Sequence, residues 1–340
     1  MKDILSPGDG YLDTARNGRR MTHFLLIILI FYAIYDIGIL LGFVAYVPLG
    51  KLLASLFSGD VPGPLVVLSP LIRNIAVYVW PYLLLWAWLW LYERRSLASA
   101  GLRTNGVGRG IVQFLCGVAA ALALAAGWLA VQVATDHLAF EGWMSTGQAS
   151  LVLFGPLLVT AFLGRAFQIG IEEVLFRGWV LQDVGARYGP WVGVLFSSAF
   201  FSASHFLSPL ALFGFGNIHD PWPPLLIINI FLWAVFAALW TLYGRSIWAA
   251  IGFHAAALWS VSVVFGLGGS SVGIIDLRLV DPSWLTGGTG FAGLFEGLPA
   301  TALLAVAVAV MLVLLRRRAA RESSVGGGAP ESGVERSPLA

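Results

Sequence analysis

Two glutamates stand side by side in an apolar stretch of this chain, within Arg165-Ala-Phe-Gln168-Ile-Gly-Ile-Glu172-Glu173-Val-Leu-Phe-Arg177-Gly178. Two histidines follow in later apolar stretches: His205, in Phe201-Ser-Ala-Ser-His205, and His254. An ionisable side chain inside a membrane span costs a few kcal/mol, so each one needs a partner, a water-filled cavity or a function. Helical spacing sorts these groups. Glu173 and Arg177 are i and i+4 with the acid N-terminal, the favourable order for an ion pair on one face. Neighbouring residues on a helix point about 100° apart, so Glu172 lies on another stripe, with Arg165 and Gln168. Glu172 is then the carboxylate free to meet other helices, and His205 and His254 are the groups expected to face it. Such a set can do acid–base chemistry on a water. Glu172 would take a proton from the water and return it to a leaving amine, with one histidine assisting and the other steadying an oxyanion.

These side chains need apolar helices to carry them. Of 340 residues, 58% are hydrophobic and 11% charged, against roughly 25% charged in an ordinary soluble domain. A bilayer core takes about 20 apolar residues per helix, and about eight such runs are present. They are Phe24 to Pro48, Leu71 to Tyr92, Ile111 to Ala134, Leu151 to Leu181, Trp191 to Leu207, Pro224 to Tyr243, Ile247 to Leu267 and Phe291 to Leu315. The fourth is the longest, which predicts a tilt, a break at Gly164 or Gly170, or an extension into water. Basic residues mark one side: Lys2, Arg16, Arg19 and Arg20; then Arg94, Arg95, Arg103 and Arg109; then Arg316, Arg317, Arg318 and Arg321. Cytoplasmic loops retain such charges, so an even number of spans puts both termini in the cytoplasm. The opposite loops carry Asp136, Glu141, Asp276, Asp281 and a lone Arg278. The expected architecture is an all-α polytopic membrane helix bundle. It has a cytoplasmic N-terminal segment (1–23), a transmembrane domain (24–315) and a disordered cytoplasmic tail (316–340). The single cysteine, Cys116, excludes an internal disulfide, and a net charge of +2 argues against nucleic acid as a partner.

The motifs resemble those of the CPBP family of intramembrane glutamic endopeptidases, which includes CAAX prenyl proteases of the Rce1 type and bacterial Abi, or bacteriocin-immunity, proteins. Glu172-Glu173-Val-Leu-Phe-Arg177 resembles the family's EExxxR element, and Phe201 through His205 its FxxxH element. Gly244-Arg245-Ser246 with the apolar run to His254 is similar to its third element. The motif core spans 156–259. The resemblance implies hydrolysis of a peptide bond in a membrane-associated peptide or protein. Glu172 would be the water-activating residue, with His205 and His254 as partners, Glu173 a second acid or only the partner of Arg177, and Phe201 and Arg177 as supports. It implies a multi-pass protein of a bacterial inner membrane, in contact with lipid. No cofactor is expected. Two carboxylates and two histidines could in chemical terms bind zinc, but no HExxH spacing is present and a metal-free site is preferred.

The sequence departs from the family at one position. Leu258 stands where an asparagine is usual, one turn after His254, and a lost oxyanion donor costs roughly a hundredfold or more in rate. Asn229, Ser204 or a backbone amide are the candidate substitutes. A rival reading therefore follows: a non-catalytic membrane scaffold or bacteriocin-immunity-type binding protein of the same fold. A proton-relaying transporter ranks third, because the polar residues cluster around the fourth, fifth and seventh spans rather than forming a path through the protein. Oligomeric state is left open. Arg165 is read as a substrate-carboxylate ligand or an internal partner of Glu172 or Asp36. His219 is read as an external loop residue, and His23 and His137 as residues of the membrane edge. Trp80, Trp86, Trp88 and Trp90 are read as interfacial anchors. The stretch Arg94 to Arg103 reads as an amphipathic connector whose basic residues attract anionic lipid.

Overall fold

A computed structural model describes residues 4–6, 9–56, 63–143, 151–207, 224–265, 274–280 and 297–326. His219, Asp281 and positions 327–340 lie outside the described residues. The chain is a helical bundle, as the apolar runs require. After a short helix, α1 (Asp9–Leu12), come α2 (Phe24–Leu56) and α3 (Gly63–Trp88), which runs on through a wide π turn (Leu89–Glu93). Then follow α4 (Val107–Ala134), α5 (Leu151–Glu173), a π segment (Val174–Val180), α6 (Leu181–Tyr188) and α7 (Pro190–Leu207). The remaining helices are α8 (Pro224–Gly244), α9 (Trp248–Trp259, with a π turn to Val264) and α10 (Gly297–Gly326).

Six stretches among the described residues are long and apolar enough to cross a membrane: α2, α3, α4, the α5–α6 run, α8 and α10. The other two expected spans form helices but fall short of that measure. In α7 the serines at 197, 198, 202 and 204 and His205 dilute the apolar character, and α9 is too short. The outward faces of the long helices carry exposed Leu29, Val44, Leu115 and Val306. A contiguous apolar exterior of this kind suits lipid and would not be stable against water.

The fourth expected span is neither broken at Gly164 nor at Gly170; helix continues through the π segment to Tyr188. Both glycines instead admit α3 closely, since a Cβ at Gly164 would lie 2.8 Å from the Pro70 carbonyl and one at Gly170 would meet the Tyr82 hydroxyl. Small residues let membrane helices approach in this way. At the other end of the chain α10 runs past Leu315 to Gly326. The continuation has a local cause: Arg318 Nε donates to Glu322 at 2.9 Å, an i,i+4 pair, and Arg318 Nη1 also donates to the Tyr243 carbonyl. Two short strands complete the fold. β1 (Leu138–Trp143) pairs antiparallel with β2 (Ile275–Leu279), from Leu138 opposite Leu279 to Trp143 opposite Ile275. A search for spans alone passes over such a ribbon in the connecting loops.

A buried charged cluster ties the ends of α3 and α6 to the N-terminal segment. Arg95 donates from Nε to Glu93 at 2.6 Å, from Nη2 to Asp183 at 2.9 Å and from Nη1 to Gln182 at 2.6 Å. Glu93 also accepts from the Thr22 hydroxyl at 2.6 Å and the Trp179 indole at 2.7 Å. Arg95 is therefore buried rather than facing lipid. This corrects the reading of the connector, in which only its exposed members, such as Arg94 and Arg103, remain available to a membrane surface.

Candidate functional site

Helices α2, α5 and α7, with the π segment, frame a small cavity of about 110 Å3 lined by Glu172, His205, Ser204, Tyr35, Phe31 and aromatic rings of the EExxxR and FxxxH elements. Glu172 is half-buried at the end of α5, and its Oε1 accepts a hydrogen bond from the Tyr35 hydroxyl at 2.8 Å. His205 lies at the exposed end of α7. Its Nδ1 is 2.8 Å from the Phe201 carbonyl, one turn back. A carbonyl only accepts, so Nδ1 carries the hydrogen. In the neutral ring Nε2 then has the lone pair and is a proton acceptor, not a donor.

The second glutamate has a different setting. Glu173 is completely buried, and its Oε1 meets His254 Nδ1 at 2.7 Å and Arg177 Nη1 at 3.2 Å. The i,i+4 ion pair expected from the spacing is thus joined by a histidine. His254 meets Glu173 and does not line the Glu172 cavity, which corrects the expectation that both histidines face Glu172. The reason lies in where α9 sits. Glycines at 117 and 252 face each other across α4 and α9: a Cβ at Gly117 would strike the Ala249 carbonyl, and one at Gly252 the Phe114 carbonyl. Backbones so close fix α9 against α4 and α5, and His254 is buried between Glu173 and the Trp233 ring, whose centroid is 4.2 Å from its own. The Arg177 guanidinium lies 4.2 Å over the Phe201 ring, within cation–π range. The second carboxylate oxygen of Glu173, and Nε and Nη2 of Arg177, are buried without a hydrogen bond from the described residues. Phe201 is the link between the two sites: its carbonyl orients His205, and its ring lies under Arg177 and 5.9 Å from the His254 ring.

The wide π segment immediately after Glu173 displaces the backbone from regular α-helical bonding, and two of its carbonyls also accept from side chains elsewhere in the chain. Arg177 O accepts from the Tyr11 hydroxyl at 2.7 Å, and Phe176 O accepts from the Ser197 hydroxyl at 2.7 Å. Burial pushes the Tyr11 phenol above its ordinary range, so it remains a donor at any physiological pH. Segments of this type recur at functional sites.

Arg165 and Asn229 fall outside the cavity. Arg165 donates to Gln168 at 2.9 Å on its own stripe. Asn229 is engaged between helices: its amide donates to the Gly297 carbonyl at 3.0 Å and its oxygen accepts from Thr301 at 2.6 Å. Asn229 does not line the Glu172 cavity, and Leu258, at the position of the family's usual asparagine, packs half-buried against the apolar core. Ser204 does line the cavity, though its hydroxyl donates to the Phe201 carbonyl at 2.8 Å. Among the described residues no group of three His, Cys, Asp or Glu is arranged to hold a metal ion. The residue missed by sequence reasoning is Tyr35. Nothing distinguishes it from Tyr32 three positions before in the same apolar run, and only the packing of α2 on α3, with Phe31 against the Phe176 ring, brings it to Glu172.

Residues 147–260 match a family model described as type II CAAX prenyl endopeptidase Rce1-like. The match covers the three motif elements and α5 through α9, but not α2 with Tyr35. No curated protein and no solved structure matches the chain significantly.

Proposed function

With an Rce1-like CAAX-protease segment at its core, the chain is, we propose, an intramembrane endopeptidase that hydrolyses a peptide bond of a membrane-associated peptide or protein using a water activated by Glu172. The observation that carries this reading is the cavity in which Glu172 and His205 meet beside the Tyr35 hydroxyl. The water oxygen attacks the scissile carbonyl carbon while Glu172 takes a water proton; collapse of the tetrahedral intermediate breaks the C–N bond, and the same proton passes from Glu172 to the leaving nitrogen. His205 accepts through Nε2 in its neutral form, which suits it to hold the attacking water. Only as an imidazolium could that nitrogen donate to an oxyanion. Tyr35 directs one oxygen of Glu172 and leaves the other to the water. Glu173, Arg177 and His254 act beneath, holding the helices so that Glu172 keeps its position.

A second reading, a non-catalytic membrane scaffold of the same fold, is favoured by Leu258, which packs apolar where the family usually has an asparagine. One experiment separates the two. New protein termini are compared by mass spectrometry in membranes of cells expressing equal amounts of wild type, Glu172→Gln and His205→Ala. The peptidase reading predicts specific fragments with wild type that disappear in Glu172→Gln and fall steeply in His205→Ala. Identical termini in all three samples, with both variants folded, would favour the scaffold.

A further inference from the structure

We propose that a groove between α4, α8 and α10, remote from the Glu172 cavity, binds the phosphate headgroup of an acidic phospholipid. Its volume is about 510 Å3, within the roughly 300–1,000 Å3 of cavities that hold small molecules. It shares no lining residue with the cavity of Glu172.

Three helix faces form it, and each is graded in the same direction. On α4, Arg109 lies near the start of the helix and Cys116 two turns deeper; on α10, Arg321 and Arg317 lie near the end and Leu314 deeper. Helix α8 finishes at the basic end with Tyr243 and has Trp240 one turn below. The directions agree because α8 and α10 run parallel, joined by Thr301 to Asn229 at one end and by Arg318 to Tyr243 at the other. The guanidinium groups therefore collect at one mouth and the apolar side chains extend from it towards the middle of the bundle. A phospholipid has its charge and its acyl chains in that order, and a free anion would use only the mouth.

The bonding at the mouth leaves cations available. The last carbonyls of α8 would repel an anion, but they are already occupied: Gln113 donates to Gly244 O at 3.0 Å and Arg318 donates to Tyr243 O. Arg318 also pairs with Glu322, as Arg245 does at 3.2 Å. Arg109, Arg317 and Arg321 are exposed and, among the described residues, their guanidinium groups make no hydrogen bond or ion pair. Guanidinium groups bind phosphate oxygens in a paired geometry. Each basic residue at an anionic bilayer surface is worth about a fivefold gain, so three together give roughly a hundredfold preference for an acidic lipid.

The test titrates the full-length protein in neutral detergent micelles with phosphatidylglycerol, phosphatidylcholine or inorganic phosphate, and counts bound molecules by native mass spectrometry. The wild type is expected to bind phosphatidylglycerol at least about tenfold more tightly than phosphatidylcholine, with the difference shrinking in high salt. Inorganic phosphate at millimolar concentration should not displace the lipid. The triple variant Arg109→Gln, Arg317→Gln, Arg321→Gln should lose the preference while keeping its melting temperature. Equal binding of the two lipids by wild type, or an undiminished preference in a folded triple variant, would overturn the proposal. Displacement by inorganic phosphate alone would also overturn it, by assigning the mouth to a soluble anion. If the triple variant does not fold, the single variant Arg317→Gln keeps the test open: its preference should fall about fivefold, and an unchanged preference would overturn the proposal.

Discussion

Glu172 and Tyr35 are 137 positions apart in the chain and 2.8 Å apart at the site. A hydrogen bond to a charged group contributes about 1.5–3 kcal/mol. If Tyr35 holds the active carboxylate, Tyr35→Phe should lower kcat about 10- to 100-fold with little change in KM, and the two constants measured separately would distinguish orientation from binding. The histidines should separate in another way. His254→Ala removes the nearer of the two partners of a fully buried carboxylate, so a loss of stability of about 1–3 kcal/mol is expected. His205→Ala alters an exposed side chain at the rim and should reduce cleavage while leaving the thermal midpoint nearly unchanged. Thermal unfolding and cleavage rates on the same preparations check both outcomes; equal stability losses would contradict the division between a reacting and a supporting histidine.

Among the elements, the α4–α9 contact and the charged cluster at the ends of α3 and α6 hold the site in shape. Gly252→Val would drive a branched side chain into the Phe114 carbonyl and separate α9 from α4, so it should destabilise the protein by about 1–3 kcal/mol or more and displace His254 from Glu173. Arg95→Ala would leave Glu93 and Asp183 buried without their shared cation. Breaking such a pair costs about 3–5 kcal/mol, and denaturant unfolding in micelles should show a loss of that order. An unchanged midpoint for Arg95→Ala would mean that the cluster does not hold these helix ends together. The π segment between these contacts follows the Glu172–Glu173 pair directly, and its carbonyls accept from Tyr11 and Ser197, so the N-terminal segment is bonded through Arg177 O to the backbone beside the site.

For the whole molecule, the apolar runs and the EExxxR, FxxxH and third-histidine elements made the helical membrane class and the family match legible in the sequence. Periodicity within one helix also made the Glu173–Arg177 pair legible, because i,i+4 geometry is local. What was not legible depends on neighbours distant in the chain. Which of two adjacent glutamates His254 meets is set by the glycine contact of α4 with α9, and Tyr35 reaches Glu172 through the packing of α2. Arg95 looks like a lipid-facing charge until α6 brings Asp183 and Gln182 around it. The weakened apolarity of α7 follows from its serines, one of which lines the Glu172 cavity while another supports the π segment.

The proposed activation of the attacking water by Glu172 is the step on which cleavage depends. Its most direct test uses the purified chain in lipid vesicles, with a peptide spanning a cleavage site found from the membrane termini, and compares the single-turnover rates of wild type and Glu172→Gln. Loss of a general base lowers a rate by roughly 10²–10⁴-fold. A fall of at least about a hundredfold is expected in Glu172→Gln, with the same thermal midpoint and the same affinity for the peptide. Cleavage by Glu172→Gln within about threefold of the wild-type rate would contradict it.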